Sequence, residues 1–199
     1  MTIQEIWLEP VLLEGKHIRL EPLEPALHAA PMFEWFDAQA LTFTGTGYLN
    51  FTSVAAFQTH LEEQISRSES VHWAVRMLAT GAICGRVLLF HVQAKNAALE
   101  LGTLLMPAFW GSQANAESKL LLLTRAFEVL GANRVQFTID AENLRSIGSI
   151  NKLGATKEGM LRQSAIRADG LVRDKIIFSV LQSEWQMVKA RLEARVKSY

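Results

Sequence analysis

The feature that most restricts the fold is a change of hydrophobic period in mid-chain. Ala98 to Met106 alternates as a strand and is closed by Pro107, which cannot donate to a central ladder. Asn115 to Leu130 is then rich in Leu, Ala, Glu and Lys and stops at Gly131, a good residue to follow a helix end. Arg134 to Asp140 alternates again. A strand, a long helix and a second strand of this kind predict a right-handed crossover between two parallel strands of one sheet. Upstream, Val71 to Leu78 and Ile83 to Val92 are strands joined by the turn Ala79-Thr80-Gly81, and His17 to Leu20 is a short strand. Pro25 to Phe36 and Ser53 to Ser66 read as helices, with a turn-like stretch from Thr42 to Thr52 between them. Downstream, Asn143 caps a helix to Leu153 with Gly154 after it. Gly159 to Arg167 and Val172 to Leu181 form a hairpin around Ala168-Asp169-Gly170, and Ser183 caps a last helix to Lys197. The predicted class is α/β (α+β), a three-layer sandwich with a mixed, mostly antiparallel sheet and helices on both faces. Residues 1–199 form one domain, with a core of about 14–187 and a C-terminal helix of about 183–197.

Charge is balanced, 20 basic against 20 acidic residues, so no global field draws nucleic acid or an anionic membrane. No apolar run is long enough to span a bilayer, and the acidic start at Glu5, Glu9 and Glu14 is unlike a secretory signal. The expected location is cytoplasmic. The single cysteine, Cys84, lies in an apolar run and reads as a buried small hydrophobe. The five histidines are scattered without helical His-x-x-x-His spacing or cysteine partners, so no metal site is expected.

Two segments can carry chemistry. Between the strand and the long helix stands Pro107-Ala108-Phe109-Trp110-Gly111-Ser112-Gln113-Ala114-Asn115. Its small residues allow a tight turn, and its N–H groups with the helix N-terminus suit an anion such as a pyrophosphate. The second segment is Asp140 to Ser146, in which Asn143 and Ser146 take the N-cap and N3 positions of a short helix.

In their order and spacing these segments resemble the GNAT (Gcn5-related N-acetyltransferase) family, and within it the ribosomal-protein N-terminal (RimJ/RimL-type) branch. The resemblance rests on Leu99-Glu100-Leu101-Gly102-Thr103-Leu104-Leu105, Trp110-Gly111-Ser112-Gln113-Ala114-Asn115-Ala116-Glu117, Asn133-Arg134-Val135, Asp140 to Ser146, Lys152-Leu153-Gly154-Ala155, Glu158 to Arg162 and Asp169-Gly170. It implies acetyl-CoA as co-substrate, held in a splay between the strands at Leu99–Met106 and Arg134–Asp140. It implies pantetheine contacts at Leu105, Met106 and Asn143. The phosphates would sit on Trp110, Gly111, Ser112, Gln113, Ala114 and Asn115, and Ser146 would lie near the sulfur. The sequence departs from the family at Gln113, usually Gly, at Ile150, where many relatives carry a tyrosine acid, and at Ala155, usually Phe.

The implied reaction is direct attack of an amine on the thioester. Glu100 is the candidate base and Ser146 the candidate donor to the leaving thiolate. A backbone N–H at Leu105 or Met106 would face the thioester oxygen. Trp35, Phe36, Tyr48 and Phe51, with Arg162 and Arg167, are candidates for the acceptor pocket. The acceptor is a protein N-terminus or a small amine. A non-catalytic acyl-CoA-binding module is the alternative that Gln113 and Ile150 favour. The amphipathic C-terminal helix, Ser183 to Lys197, either packs on the sheet or serves association with a partner, and a homodimer is a further expectation.

Overall fold

A computed structural model describes residues 2–43, 51–66, 69–167 and 170–199. One eight-stranded sheet runs through it in the order β1-β2-β3-β4-β5-β6-β8-β7. Its strands are β1 (Leu13–Glu14), β2 (Ile18–Pro22), β3 (Val71–Met77), β4 (Ile83–Gln93), β5 (Ala98–Leu105), β6 (Arg134–Asp140), β7 (Thr156–Ile166) and β8 (Val172–Leu181). Every neighbouring pair is antiparallel except β5 and β6, which are parallel, as the strand–helix–strand pattern requires. The helices are α1 (Ile3–Trp7), α2 (Pro25–Phe33), α3 (Val54–Ile65), α4 (Ala114–Thr124), α5 (Leu144–Leu153) and α6 (Trp185–Lys197).

Strand alternation divides the interior into two cores. Val71, Trp73 and Val75 of β3 face a large core completed by α1, α4, α5 and α6, while Ala74 between them faces a smaller one built by α2 and α3. The two helical layers thus lie on opposite faces of the sheet. The second core is rich in aromatic rings: Phe33, Phe36, Phe51 and Phe57 stand with centroids 5.4 to 5.8 Å apart. Trp185 of α6 is fully buried, stacks on Phe127 at 5.3 Å, and donates its Nε1–H to Glu128 at 2.7 Å. With Val188, Leu192 and Val196 it places the apolar face of α6 inside this chain.

Several elements differ from the sequence reading. The helix expected to run from Asn115 to Leu130 ends in a π-helical turn, Arg125–Val129, closed by Leu130 N–H to Arg125 O at 2.9 Å. Helix α2 stops at Phe33, and the wider bonds give way to tight turns, Trp35 N–H to Met32 O and Phe36 N–H to Phe33 O. Ser183 does not cap α6. It lies in a 3₁₀ turn, Gln182–Glu184, and the Glu184 carboxylate accepts the Leu181 N–H instead. Helix α1 and strand β1 were not foreseen. Thr2 and Glu5 cap α1 reciprocally, and its Trp7 is buried in the main core.

Strands β5 and β6 pair over only three positions, Ala98–Arg134, Leu99–Val135 and Glu100–Gln136, and then part. On its other side β5 stays paired with β4 as far as Leu105. Opposite that segment β4 carries a bulge: Val75 faces Gly85 and Arg76 faces Ile83, leaving Cys84 as the extra residue. Gly85 has φ +151°, and a Cβ there would collide with Leu104 O. Only glycine allows the backbones to approach so closely. Gly85→Ala is expected to cost about 2–4 kcal/mol, whereas Gly81→Ala, also at positive φ but with nothing within 4 Å of the added carbon, should cost about 1 kcal/mol. Urea denaturation of the two variants checks the difference.

Candidate active site

The turn between β5 and α4 is built by its own side chains. Pro107–Phe109 forms a 3₁₀ turn, and Gly111 takes φ +81° with open space beside its Cα. Ser112 Oγ donates to Phe109 O at 2.7 Å and accepts the Ala114 N–H at 3.3 Å, while Ser112 N–H goes to Phe109 O. The N–H groups of Ser112 and Ala114 are thus spent within the turn. Those of Gly111, Gln113 and Asn115 remain as donors at the helix N-terminus. Gln113 has helical φ −62°, so its side chain fits where the family has glycine. Two neighbours complete the turn. Trp110 Nε1–H donates to Leu105 O at 2.8 Å, and the Arg145 guanidinium lies over the Trp110 ring, 3.1 Å from its centroid. Burial lowers the Arg145 pKa below its ordinary value. Arg145 was missed by sequence reasoning, although it stands between Asn143 and Ser146 in the second motif.

Helix α5 is aimed by Asp140 at the end of β6. Asp140 O accepts the Asn143 N–H, and its Oδ1 accepts the Glu142 N–H at 3.0 Å. Arg173 and Lys175 of β8 hold the same carboxylate, Arg173 at 2.9 Å. Burial pushes the Asp140 carboxyl up, but the Arg173 hydrogen bond, the Glu142 N–H and the two positive charges together hold it below its ordinary value. Asn143 caps the helix, its Oδ1 accepting Ser146 N–H at 3.1 Å. The Ser146 hydroxyl makes no hydrogen bond among the described residues, so capping and hydroxyl belong to different side chains. Asn115 of α4 donates to Ser149 of α5 at 2.8 Å, which ties the two motifs together.

Backbone alternation decides what β5 shows to the gap. Ala97 O accepts Asn133 N–H on the β6 side, whereas Met106 N–H donates to Cys84 O at 2.9 Å on the β4 side. Odd-numbered residues therefore turn their peptide groups toward β6. Beyond the last pair these are Leu101, Thr103 and Leu105. The Met106 N–H considered for the thioester oxygen is committed to β4, and strand parity is the signal that identifies Leu105 instead. Thr103 Oγ1, on the same segment, is buried without a hydrogen-bond partner.

On the other face, Glu100 is buried, with His91 Nδ1 at 3.1 Å and Gln136 Nε2 at 3.4 Å from its Oε2. Of the acceptor candidates, Trp35 is 42% exposed and meets Phe109 edge-on at 5.1 Å. Phe36 and Phe51 are in the aromatic core. Arg167 reaches Thr42 O at 3.5 Å. Arg162 lines a shallow cleft of about 710 Å³ in the β7–β8 hairpin with Met160, Gln163 and Asp174, away from the strand gap. Tyr48 lies outside the described residues. The Cys84 thiol is fully buried, which pushes its pKa up to about 12, so it is no nucleophile. No group of His, Cys, Asp and Glu suited to a metal occurs among the described residues, and no described helix is long and apolar enough to cross a membrane.

A family model described as the acetyltransferase (GNAT) domain matches residues 17–156. A solved structure from T. thermophilus, itself an acetyltransferase by assignment, is 42% identical, covers 95% of this chain and 98% of its own, and has a TM-score of 0.88. YdaF of Bacillus subtilis (strain 168), named by assignment a ribosomal N-acetyltransferase, is 28% identical over 110 residues, 55% of this chain. The chain spans 60% of the length of that relative. Mycobacterium smegmatis RimJ, solved with CoA-disulfide, shares the fold at a TM-score of 0.75 and 15% identity, over 94% of this chain and 95% of its own.

Lys119, one turn along α4 from Asn115, is buried and hydrogen-bonds Asn115 Oδ1. Desolvation, with the Arg195 charge, pulls its pKa from 10.5 down to about 7. The unfolded chain therefore binds more protons between these values, and this group's contribution to stability rises with pH from about 7 to 10.5. Lys119→Met should flatten that rise, read from urea midpoints across the range.

Proposed function

This chain belongs to the GNAT acetyltransferase family, and we propose that it moves an acetyl group from acetyl-CoA to an amine, the α-amine of a protein N-terminus. The carrying observation is the parting of β5 from β6 after Glu100, directly before a turn with N–H donors to spare. A strand edge free at Leu101 and Thr103 and at the Leu105 N–H, with the orphaned Thr103 hydroxyl, matches a ligand that carries amide groups of its own. The residues fit CoA: the donors at Gly111, Gln113 and Asn115 suit its phosphates, with the Arg145 charge stacked on Trp110 beside them. When bound, acetyl-CoA supplies the activated acetyl thioester.

Everything else falls to the chain. Leu105 N–H, turned toward the gap, is the donor for a carbonyl oxygen that gains negative charge. Ser146, whose hydroxyl is uncommitted, offers a proton or hydrogen bond to a departing thiolate. Asn143 holds the helix start and offers its remaining amide hydrogens to the same channel. Removal of the amine proton belongs to the Glu100 end of the gap, on the sheet face that α2 and α3 leave open along β6 and β8. Support for a protein N-terminus comes from the assigned name of YdaF and from that open face, where Gln136 is partly exposed and Thr138 exposed.

A thiol-release assay with acetyl-CoA and a panel of peptides and small amines tests the proposal, with peptide α-amines expected to turn over fastest. Gly111→Val should weaken acetyl-CoA binding in calorimetry, while Lys197→Ala should not. Ser146→Ala should keep its stability and acetyl-CoA affinity and lose about 10²-fold or more in turnover. Asn143→Ala should lose about 1 kcal/mol of stability as a missing cap and bind acetyl-CoA more weakly. Equal turnover of wild type and Ser146→Ala would assign the thiolate proton elsewhere.

A further inference from the structure

We infer that the proton acceptor for the incoming amine is His91 Nε2, with Glu100 as the buried carboxylate that orients it; the inference rests on the acetyltransferase reading above. Glu100 alone is poorly placed to receive a proton from an acceptor in solution. Its side chain is 5% exposed, and its Oε2 is engaged by His91 Nδ1 at 3.1 Å and Gln136 Nε2 at 3.4 Å. The His91 side chain is 70% exposed. A carboxylate at Nδ1 favours the tautomer with the proton on Nδ1, which leaves the Nε2 lone pair free. The arrangement repeats the logic of a carboxylate–histidine dyad: a buried acid fixes the ring and stabilises its cation, and the exposed nitrogen exchanges the proton.

The backbone is bent to make this contact. His91 follows Phe90, the last β4 residue in regular register with Glu100, and the pairing resumes only at Gln93 with Ala98. Within this irregularity His91 takes φ +47°, which a non-glycine residue adopts at some cost. An ordinary strand would turn the side chain of position 91 to the face opposite Phe90 and Glu100. The irregularity brings the imidazole back over Glu100, and the Phe90 ring lies against it at 4.8 Å. Gln136 Oε1 accepts from Arg134, and Arg134 is neutralised by Glu158, so Glu100 is left as the carboxylate that serves His91.

The step balances simply. An ammonium acceptor gives one proton to Nε2, forming the imidazolium beside the Glu100 carboxylate, and the freed amine has the lone pair that attacks the acetyl carbon. The imidazolium then returns that proton to water from its exposed edge. Each turnover thus forms one amide and one thiol and releases one proton.

Two measurements test the inference. The first needs no acetyl donor. ¹⁵N imidazole shifts of the resting protein should report the Nδ1–H tautomer at His91, and Glu100→Leu should shift the ring toward the Nε2–H form. A resting Nε2–H tautomer in the wild type overturns the inference. The second is kinetic, on the amine of the panel that turns over fastest. His91→Ala should lose about 10²-fold or more in kcat/KM, keep its acetyl-CoA affinity, and recover part of the loss when free imidazole is added. Glu100→Gln, which can still accept the Nδ1–H, should lose less than His91→Ala. With the hydrazide analogue of the same acceptor, which is largely unprotonated at neutral pH, the His91→Ala defect should shrink. An undiminished defect on the hydrazide, or a His91→Ala rate equal to wild type on the amine, overturns the assignment. A wild type that transfers acetyl to no amine defeats the transferase reading itself, and the tautomer still decides the His91–Glu100 bond.

Discussion

Main-chain hydrogen bonding between β5 and β6 ends at the Glu100–Gln136 position, although both strands continue beyond it. Unpaired peptide groups inside a sheet are costly, so something must hold the strands apart. On one side β5 stays paired with β4 as far as Gly85–Leu105, where the Gly85 backbone comes close to Leu104 O. On the other, β6 pairs with β8 along its whole length, from Arg134–Leu181 to Asp140–Lys175, and Arg173 clamps its last residue. Each strand is committed to its outer neighbour. The gap between them is the remainder of two stronger attachments.

That gap places the rest of the site. Helix α4 begins where β5 ends and helix α5 begins where β6 ends, so two helix N-termini stand at one mouth, joined by the Asn115–Ser149 hydrogen bond and the Trp110–Arg145 stack. Both are positive ends of helix dipoles. With Arg145 added, the mouth suits a polyanion, while the narrow end, at Glu100, is the acidic one. A ligand with phosphates at one end and an acyl group at the other would lie along this gradient. The large core beneath α4, α5 and α6 fixes both helices, with Ile150 and Leu153 anchoring α5 and Leu122 and Leu123 anchoring α4.

Much of this was legible in the sequence, for definite reasons. The crossover was readable because Pro107 and Gly131 bracket a strongly helical segment between two alternating ones. Asn143 and Gly154 marked α5 to the residue at both ends. What could not be read depends on neighbours distant in sequence. The π-turn at Arg125–Val129 uses residues that would continue an ordinary helix. The pairing limit of β5 and β6 is set by β4 and β8, and no local pattern records it. His91 looked like one of five scattered histidines because its partner is nine residues away across a strand irregularity. Arg145 lay inside a motif already singled out, yet its stacking on Trp110 needs α4 and α5 to be brought together first.

The missing tyrosine at position 150 takes on a different meaning in three dimensions. Ile150 is 3% exposed and packs with Leu153 in the main core, so this position is part of the packing that holds α5 on the sheet. A hydroxyl serving that gap has to come from elsewhere on α5. Two serines qualify. Ser149 Oγ is held by the Asn115 side-chain amide at 2.8 Å, and Lys119 holds the other end of that amide, so Ser149 belongs to the scaffold between the helices. Ser146 stands one turn closer to the helix start, with its backbone N–H satisfied by Asn143 and its hydroxyl uncommitted. Within the acetyltransferase reading, a core residue at 150 and an uncommitted hydroxyl at 146 are therefore consistent.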